Sequence, residues 1–201
     1  MKSIGRYFIL IISLSLLFPA INPAQDKVLI KKFDLIENDL ELSRTASANQ
    51  YMDKIGLKAA LMGSESGNFE MWIWQWKVLR SFDLQFFLGT STTPILSKDI
   101  VRDISVTPEA TTITFVYESF TVKEIIYVPY EEEGMIILLD VYSATPLSIV
   151  PGFMPVMQPQ WPAGIGGQYS IWDSKANAYL ISESQRRASF YVGSPAARQM
   201  A

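Results

Sequence analysis

The sequence predicts an all-β protein folded as an antiparallel β-sandwich, and three observations carry that expectation. Short runs rich in Val, Ile, Thr and aromatic residues recur between residues 69 and 192, with turn-forming separators of a few residues between them. No stretch among them sustains the 3.6-residue period of an amphipathic helix. Aromatic residues make up 12% of the 201-residue chain, a share that favours strands. A meander of this kind buries its apolar faces only by folding into a sandwich or barrel.

At the N-terminus, Lys2 and Arg6 precede the apolar run YFILIISLSLLF at 7–18, and PAINPA follows. This is the plan of a secretory signal. Cleavage is expected after Ala24, with Ala20 the competing site, and it predicts a secreted or periplasmic product. The apolar run falls short of the roughly 20 residues that a membrane-spanning helix needs, and no later segment approaches that length. No membrane association is therefore expected after cleavage. Residues 1–24 take two basic and no acidic residues with them, which moves the net charge from −3 to −5.

Residues 25–50 are polar and charged, and read as a lead-in that becomes a strand near Leu40 to Arg44. The β-sandwich domain is assigned to 51–201. Its first piece, 51–62, fits either a helix or a strand, and a strand is predicted at 57–62, running into the turn GSESG at 63–67. The run 69–79, FEMWIWQWKVL, is read as one central strand with Phe69, Met71 and Ile73 on one face and Trp72, Trp74, Trp76 and Val78 on the other. Further strands are predicted at 82–88, 100–106, 111–117, 121–128, 134–142 and 147–153. The segment MPVMQPQWPAGIGGQY at 154–169 carries three prolines and three glycines, which argue against a helix or a central strand. It is predicted to be a long shaped loop, with strands resuming at 169–173, 178–182 and 188–192.

Composition narrows the chemistry. The chain contains neither Cys nor His. This excludes disulfides, thiol catalysis, Ser-His-Asp constellations and the usual zinc sites within the chain. Acid-base chemistry would have to rest on carboxylates, Lys or Tyr. No basic patch invites nucleic acid, and GIGG lacks the Lys-Ser/Thr and helix of a phosphate loop, so no nucleotide or other cofactor is expected.

Two aromatic groups stand out. Alternate residues on a strand face lie about 6.6 Å apart, so Trp72, Trp74 and Trp76 would form a continuous strip, either core or an aromatic platform for stacking sugar rings. Core is the preferred reading, because tryptophan buries a large area and exposed apolar strips are unusual. In QPQWPAGIGGQYSIW, the residues Gln160, Trp161, Gln168, Tyr169 and Trp172 combine stacking with amide hydrogen bonding, as a carbohydrate-contacting or domain-interface loop would. A proline-stiffened crossover with buried aromatics accounts for them equally well. The acidic run Glu131, Glu132, Glu133 lacks the ligand spacing of a calcium loop and reads as a solvated turn, so no metal site is assigned. Asp140, Asp173 and Glu183 are scattered carboxylates with nothing in the sequence to bring two of them together as a glycosidase pair.

Three stretches, YMDKIGLKAALMGSESGNFEMWIWQWKVLRSFDLQF, FTVKEIIYVPYEEEGMIILLDVYSATPL and QPQWPAGIGGQYSIWD, resemble the N-terminal β-sandwich domain of bacterial glycogen-debranching-like glycosidases, which carry a six-hairpin (α/α)6 catalytic barrel. The resemblance spans about residues 51–194. It implies a super-sandwich type of fold, incomplete or a fragment here, whose partner is a C-terminal (α/α)6 barrel of the same parent chain. In that family the barrel carries the two catalytic carboxylates, so no residue of this chain is expected to be catalytic. The expected function is that of a non-catalytic sandwich in an exported α-glucan-active glycoside hydrolase, supporting the barrel and shaping its substrate rim. The alternative is a free-standing secreted carbohydrate-binding module that binds a glucan oligosaccharide.

Overall fold

The computed structural model describes residues 40–161, 167–185 and 187–195. The expected signal, most of the lead-in and residues 162–166 of the proline-glycine segment lie outside them. The strands are β1 Leu42–Thr45, β2 Tyr51–Ile55, β3 Ala59–Ser64, β4 Phe69–Ile73, β5 Trp76–Leu88, β6 Ile95–Leu96, β7 Val101–Val106, β8 Ala110–Tyr117, β9 Phe120–Tyr127, β10 Ile136–Ser143, β11 Leu147–Pro159, β12 Gln168–Asp173, β13 Ala178–Glu183 and β14 Ser189–Gly193. One short helix, α1 Ser97–Ile100, precedes β7.

Two sheets make the sandwich. One runs β1-β7-β8-β9-β10 and the other β11-β5-β4-β3-β2, with β6 paired to β5. The alternation in β8 and β9 explains the packing. Ile113 and Phe115 on β8, with Phe120, Val122 and Ile126 on β9, turn inward and are buried, while Thr112, Thr114, Lys123 and Tyr127 turn away. From the opposite sheet, Phe86 meets Phe115 at 5.5 Å and Phe120 at 5.3 Å between ring centroids. Leu61, Phe69, Phe82 and Leu84 complete the layer, with Phe69 stacked on Phe82 at 4.4 Å. Each such side chain stabilises the fold by about 1.5–3 kcal/mol relative to exposure. The expected all-β sandwich is what the chain forms.

A third sheet, β12-β13-β14, joins the same core through Ile181 and Phe190, which cluster with Met157 of β11. The Gln168 side chain donates from Nε2 to the Pro155 carbonyl and ties β12 to β11.

Four elements differ from the sequence reading. The run 69–79 is not one strand: the chain reverses at Trp74 and Gln75, whose peptide bond is cis, so that Ile73 faces Trp76 in a hairpin. The segment 51–62 holds two strands, β2 and β3, around Gly56, where a Cβ would lie 2.3 Å from the Pro129 carbonyl oxygen. A helical turn stands at 97–100, where no element was predicted before the strand expected from Ile100. Finally, β11 continues through Pro155 to Pro159 instead of ending at 153. It is an edge strand, and there a proline whose nitrogen faces outward costs no ladder hydrogen bond. A bulge between Pro155 and Gln158 places the buried Met157 at φ +44.

Two features of the sandwich bear on function. Along the edge strand β10, the apolar side chains of Ile136, Leu139, Val141 and Tyr142 are exposed by 38 to 78%. Inside, Glu124 projects from β9 into the layer between the sheets, fully buried, with neither carboxylate oxygen hydrogen-bonded.

Candidate functional site

The hairpin β4–β5 organises one end of the molecule. Its register places Trp72 opposite Lys77 and Ile73 opposite Trp76, so Trp72 and Trp76 lie on opposite faces. The continuous one-face strip expected from the alternation is therefore not formed, because the reversal at 74–75 interrupts it. On the outer face, Trp72 Nε1 donates to Glu70 Oε1 at 2.9 Å and Lys77 Nζ to Glu70 Oε2 at 2.7 Å, while the Lys77 ammonium sits 4.9 Å above the Trp72 ring. Partial burial pushes the Glu70 carboxyl up, but the hydrogen bonds from Lys77 and Trp72 and the Lys77 charge outweigh it and hold Glu70 below its usual range. Trp74 projects from the turn, 40% exposed, 6.2 Å from the Trp72 ring.

On the inner face a cleft of about 320 Å³ opens beside the turn. Trp74 and Trp76 form one wall, Met157 and Phe190 supply apolar lining, and Glu133 and Arg187 bring charge to it. Arg187 is anchored rather than free. Its Nη2 donates to Glu183 Oε1 at 3.0 Å and its backbone N–H to Glu183 Oε2 at 3.2 Å, and its guanidinium lies 5.7 Å over the Trp76 ring. Foremost, the Arg187 side-chain hydrogen bond holds the Glu183 carboxyl below its usual range.

The second aromatic group is only partly drawn into this end. Pro159 pairs with Trp76, and the Gln160 backbone N–H donates to the Gln75 carbonyl at 2.8 Å, so Gln160 and Trp161 follow directly beside the Trp74 turn. Trp161 is 84% exposed. Gln168, Tyr169 and Trp172 lie instead on β12, where strand alternation sends Tyr169 to the face opposite Gln168 and Trp172. Trp172 is occupied by an edge contact with Tyr179 at 4.9 Å. Trp72, Trp74 and Trp76 are none of them fully buried, so the hairpin presents a partly exposed aromatic surface beside the core.

The scattered carboxylates do not form a pair across a cleft. Asp173 and Glu183 stand at opposite ends of the β12–β13 hairpin, roughly 16 Å apart for a five-residue separation, and Asp140 belongs to another sheet. Asp173 Oδ1 accepts the backbone N–H groups of Lys175 and Ala176 and so serves its own turn. Among the described residues no three acidic groups converge as a metal site requires, and none of their helices is long and apolar enough to cross a membrane.

Sequence reasoning set Glu133 aside as part of a solvated turn and did not single out Arg187. Each reads locally as a solvated charge, and only the sheet topology brings the loop before β10 and the loop before β14 to the same cleft. No family model, curated protein or solved structure matches the chain.

Proposed function

We propose that the chain is the non-catalytic β-sandwich of an exported α-glucan-active glycoside hydrolase, supporting an (α/α)6 barrel and contributing to its substrate rim. The observation that carries this reading is the uncovered apolar edge strand β10. Four large apolar side chains stand in water there, Leu139 and Val141 on one face and Ile136 and Tyr142 on the other, on a strand whose outer edge has no partner strand among the described residues. Isolated soluble domains blunt such edges with charge, proline or cover, and a barrel docked over this edge would supply the cover. The test is the intact mass of the native secreted product. A mass several hundred residues above that of 25–201 is the expected result. A mass equal to 25–201 would overturn the support reading.

A second reading, a free-standing carbohydrate-binding module, is favoured by a different observation. Trp74, Trp76 and Trp161 come together at one end beside a cleft with polar groups. Sugar rings present apolar C–H faces that stack on aromatic rings and hydroxyls that need polar partners.

A further inference from the structure

We propose that the cleft between the Trp74 turn and Arg187 binds one or two rings of a neutral sugar and rejects charged glycans. The proposal rests on the carbohydrate reading above and goes further in assigning the place, the size and the charge of the ligand.

Size comes first. At about 320 Å³ the cleft lies at the lower end of the range for small-molecule sites, so it takes the end of a glycan rather than a long stretch of one. Its lining then fits a sugar. Trp74 leaves part of its ring in water at the mouth, Phe190 and Met157 supply apolar depth, and Glu133, Arg187 and the Ser189 hydroxyl offer acceptors and donors from two separate loops and a strand. A ligand with one apolar face and a girdle of hydroxyls uses both kinds of surface.

Charge decides between ligand classes. The one cationic group in the lining, Arg187, has its charge balanced by Glu183, to which its Nε, Nη2 and backbone N–H donate, while the rest of its five-donor fork can still meet a neutral hydroxyl. A uronate or sulfate entering the cleft would find that cation already neutralised by Glu183, and it would face Glu133 with Glu131 and Glu132 beside it in the chain. A quaternary or primary ammonium is disfavoured for the opposite reason, since the guanidinium already covers the Trp76 ring that would form part of a cation cage. A neutral, hydroxyl-rich molecule meets neither obstacle.

Titration of the full secreted chain, followed by tryptophan fluorescence and calorimetry, tests this with maltotriose and cellotriose as neutral probes, trigalacturonate as the anionic one and choline as the cationic one. The expected result is saturable binding of at least one neutral trisaccharide and none of the charged probes. Trp74→Ala should weaken that binding by up to about tenfold, the loss of one stacking contact, and Glu133→Ala about tenfold, the loss of a hydrogen bond to a charged group. Both positions are exposed, so a circular dichroism spectrum like that of the parent is expected for each. If a neutral sugar binds but Trp161→Ala abolishes it while Trp74→Ala and Glu133→Ala leave it unchanged, the cleft assignment fails and the carbohydrate reading survives. Binding of trigalacturonate or choline in preference to the neutral sugars overturns the charge argument. No binding of any sugar overturns this inference together with the binding-module reading, while the support reading stands or falls separately on the native mass.

Discussion

At one end of β4 the turn at 64–68, SESGN, is polar in sequence and largely buried; at the other, the turn at 74–75 is led by tryptophan and open to water. Glu65 is only 1% exposed and Ser66 is buried, whereas Trp74 is 40% exposed. About 16 Å of strand separates the two. The buried turn is satisfied group by group. Arg44 grips the Glu65 carboxylate with both terminal nitrogens, Nη1 to Oε2 at 3.0 Å, and the Ser47 N–H donates to Oε2 at 2.8 Å. Ser66 Oγ bonds Ser64 Oγ at 2.7 Å and accepts the Asn68 N–H at 3.3 Å. The open turn leaves the Trp74 ring facing solvent and the cleft. Burial of polar groups with full pairing serves rigidity, while aromatic surface left in water at the far end is available for contact. The difference separates a structural end of the hairpin from a contact end.

The sharpest way to break this contrast lies beside the buried turn. Glu124 reaches it from the other sheet: a Cβ on Gly67, which holds φ +82, would lie 3.0 Å from Glu124 Oε2. Unlike Glu65, Glu124 has no hydrogen-bond partner for either oxygen. Burial, aided by the Asp83 charge, pushes its carboxyl up to about 8 from the ordinary 4.5. The folded chain therefore holds a proton that the unfolded chain releases above pH 4.5. Stability from this group is fully present below that pH and is lost as pH rises through about 8, a change on the order of 4 kcal/mol. Urea unfolding at pH 5 and at pH 8.5 should show the fall, and Glu124→Gln, which cannot titrate, should flatten it. A wild-type curve no steeper than that of Glu124→Gln would mean the carboxyl finds a partner, and the buried end would then be uniformly satisfied.

The paired carboxylate supplies the next largest effect. Arg44→Ala would leave Glu65 buried with only the Ser47 N–H; because Arg44 itself stands half in water, the expected cost is about 2 kcal/mol, that of losing a hydrogen bond to a charged group. Equilibrium unfolding at neutral pH checks this. Arg44→Met with Glu65→Leu should recover most of the loss, because no stranded charge remains. A single mutant within 0.5 kcal/mol of the parent, roughly the range of surface substitutions, would place Glu65 in reach of water and erase the difference between the two ends.

How much of this was legible depends on the residue. The strands β8 and β9 follow from period-two alternation, and GSESG at 63–67 was readable as a turn, one residue off the observed 64–68, because glycine and short polar residues favour one. Its burial was not readable, since that depends on Arg44 and on Glu124 arriving from elsewhere in the chain. The reversal at 74–75 carried no signal: neither Trp nor Gln supplies the positive φ, the fixed φ or the side-chain-to-backbone bond that marks a turn in sequence. An unbroken alternation from 69 to 79 was the natural reading, and it put Trp76 on the wrong face. The prolines of β11 misled in the opposite sense, because they exclude a central strand while an edge strand tolerates them. The cleft itself was out of reach, as Glu133 and Arg187 are joined to Trp74 only through three-dimensional topology.

The smallest expected effect is the one that tests the contact end. If Trp74 is surface rather than core, Trp74→Ala should change stability by no more than about 0.5 kcal/mol, the ordinary range for substitutions away from core and paired groups. Phe86→Ala is the matched control. That ring is fully buried between Phe115 and Phe120, and its removal should cost about 3–5 kcal/mol. Urea midpoints measured side by side compare two large aromatic deletions in one protein, so errors in extrapolation largely cancel. A near-neutral Trp74→Ala beside a costly Phe86→Ala means that the indole contributes little to folding and is free to serve recognition. A cost above 2 kcal/mol at Trp74 would return the hairpin tip to the core, as the preferred sequence reading had it, and the two ends of β4 would then differ in composition alone.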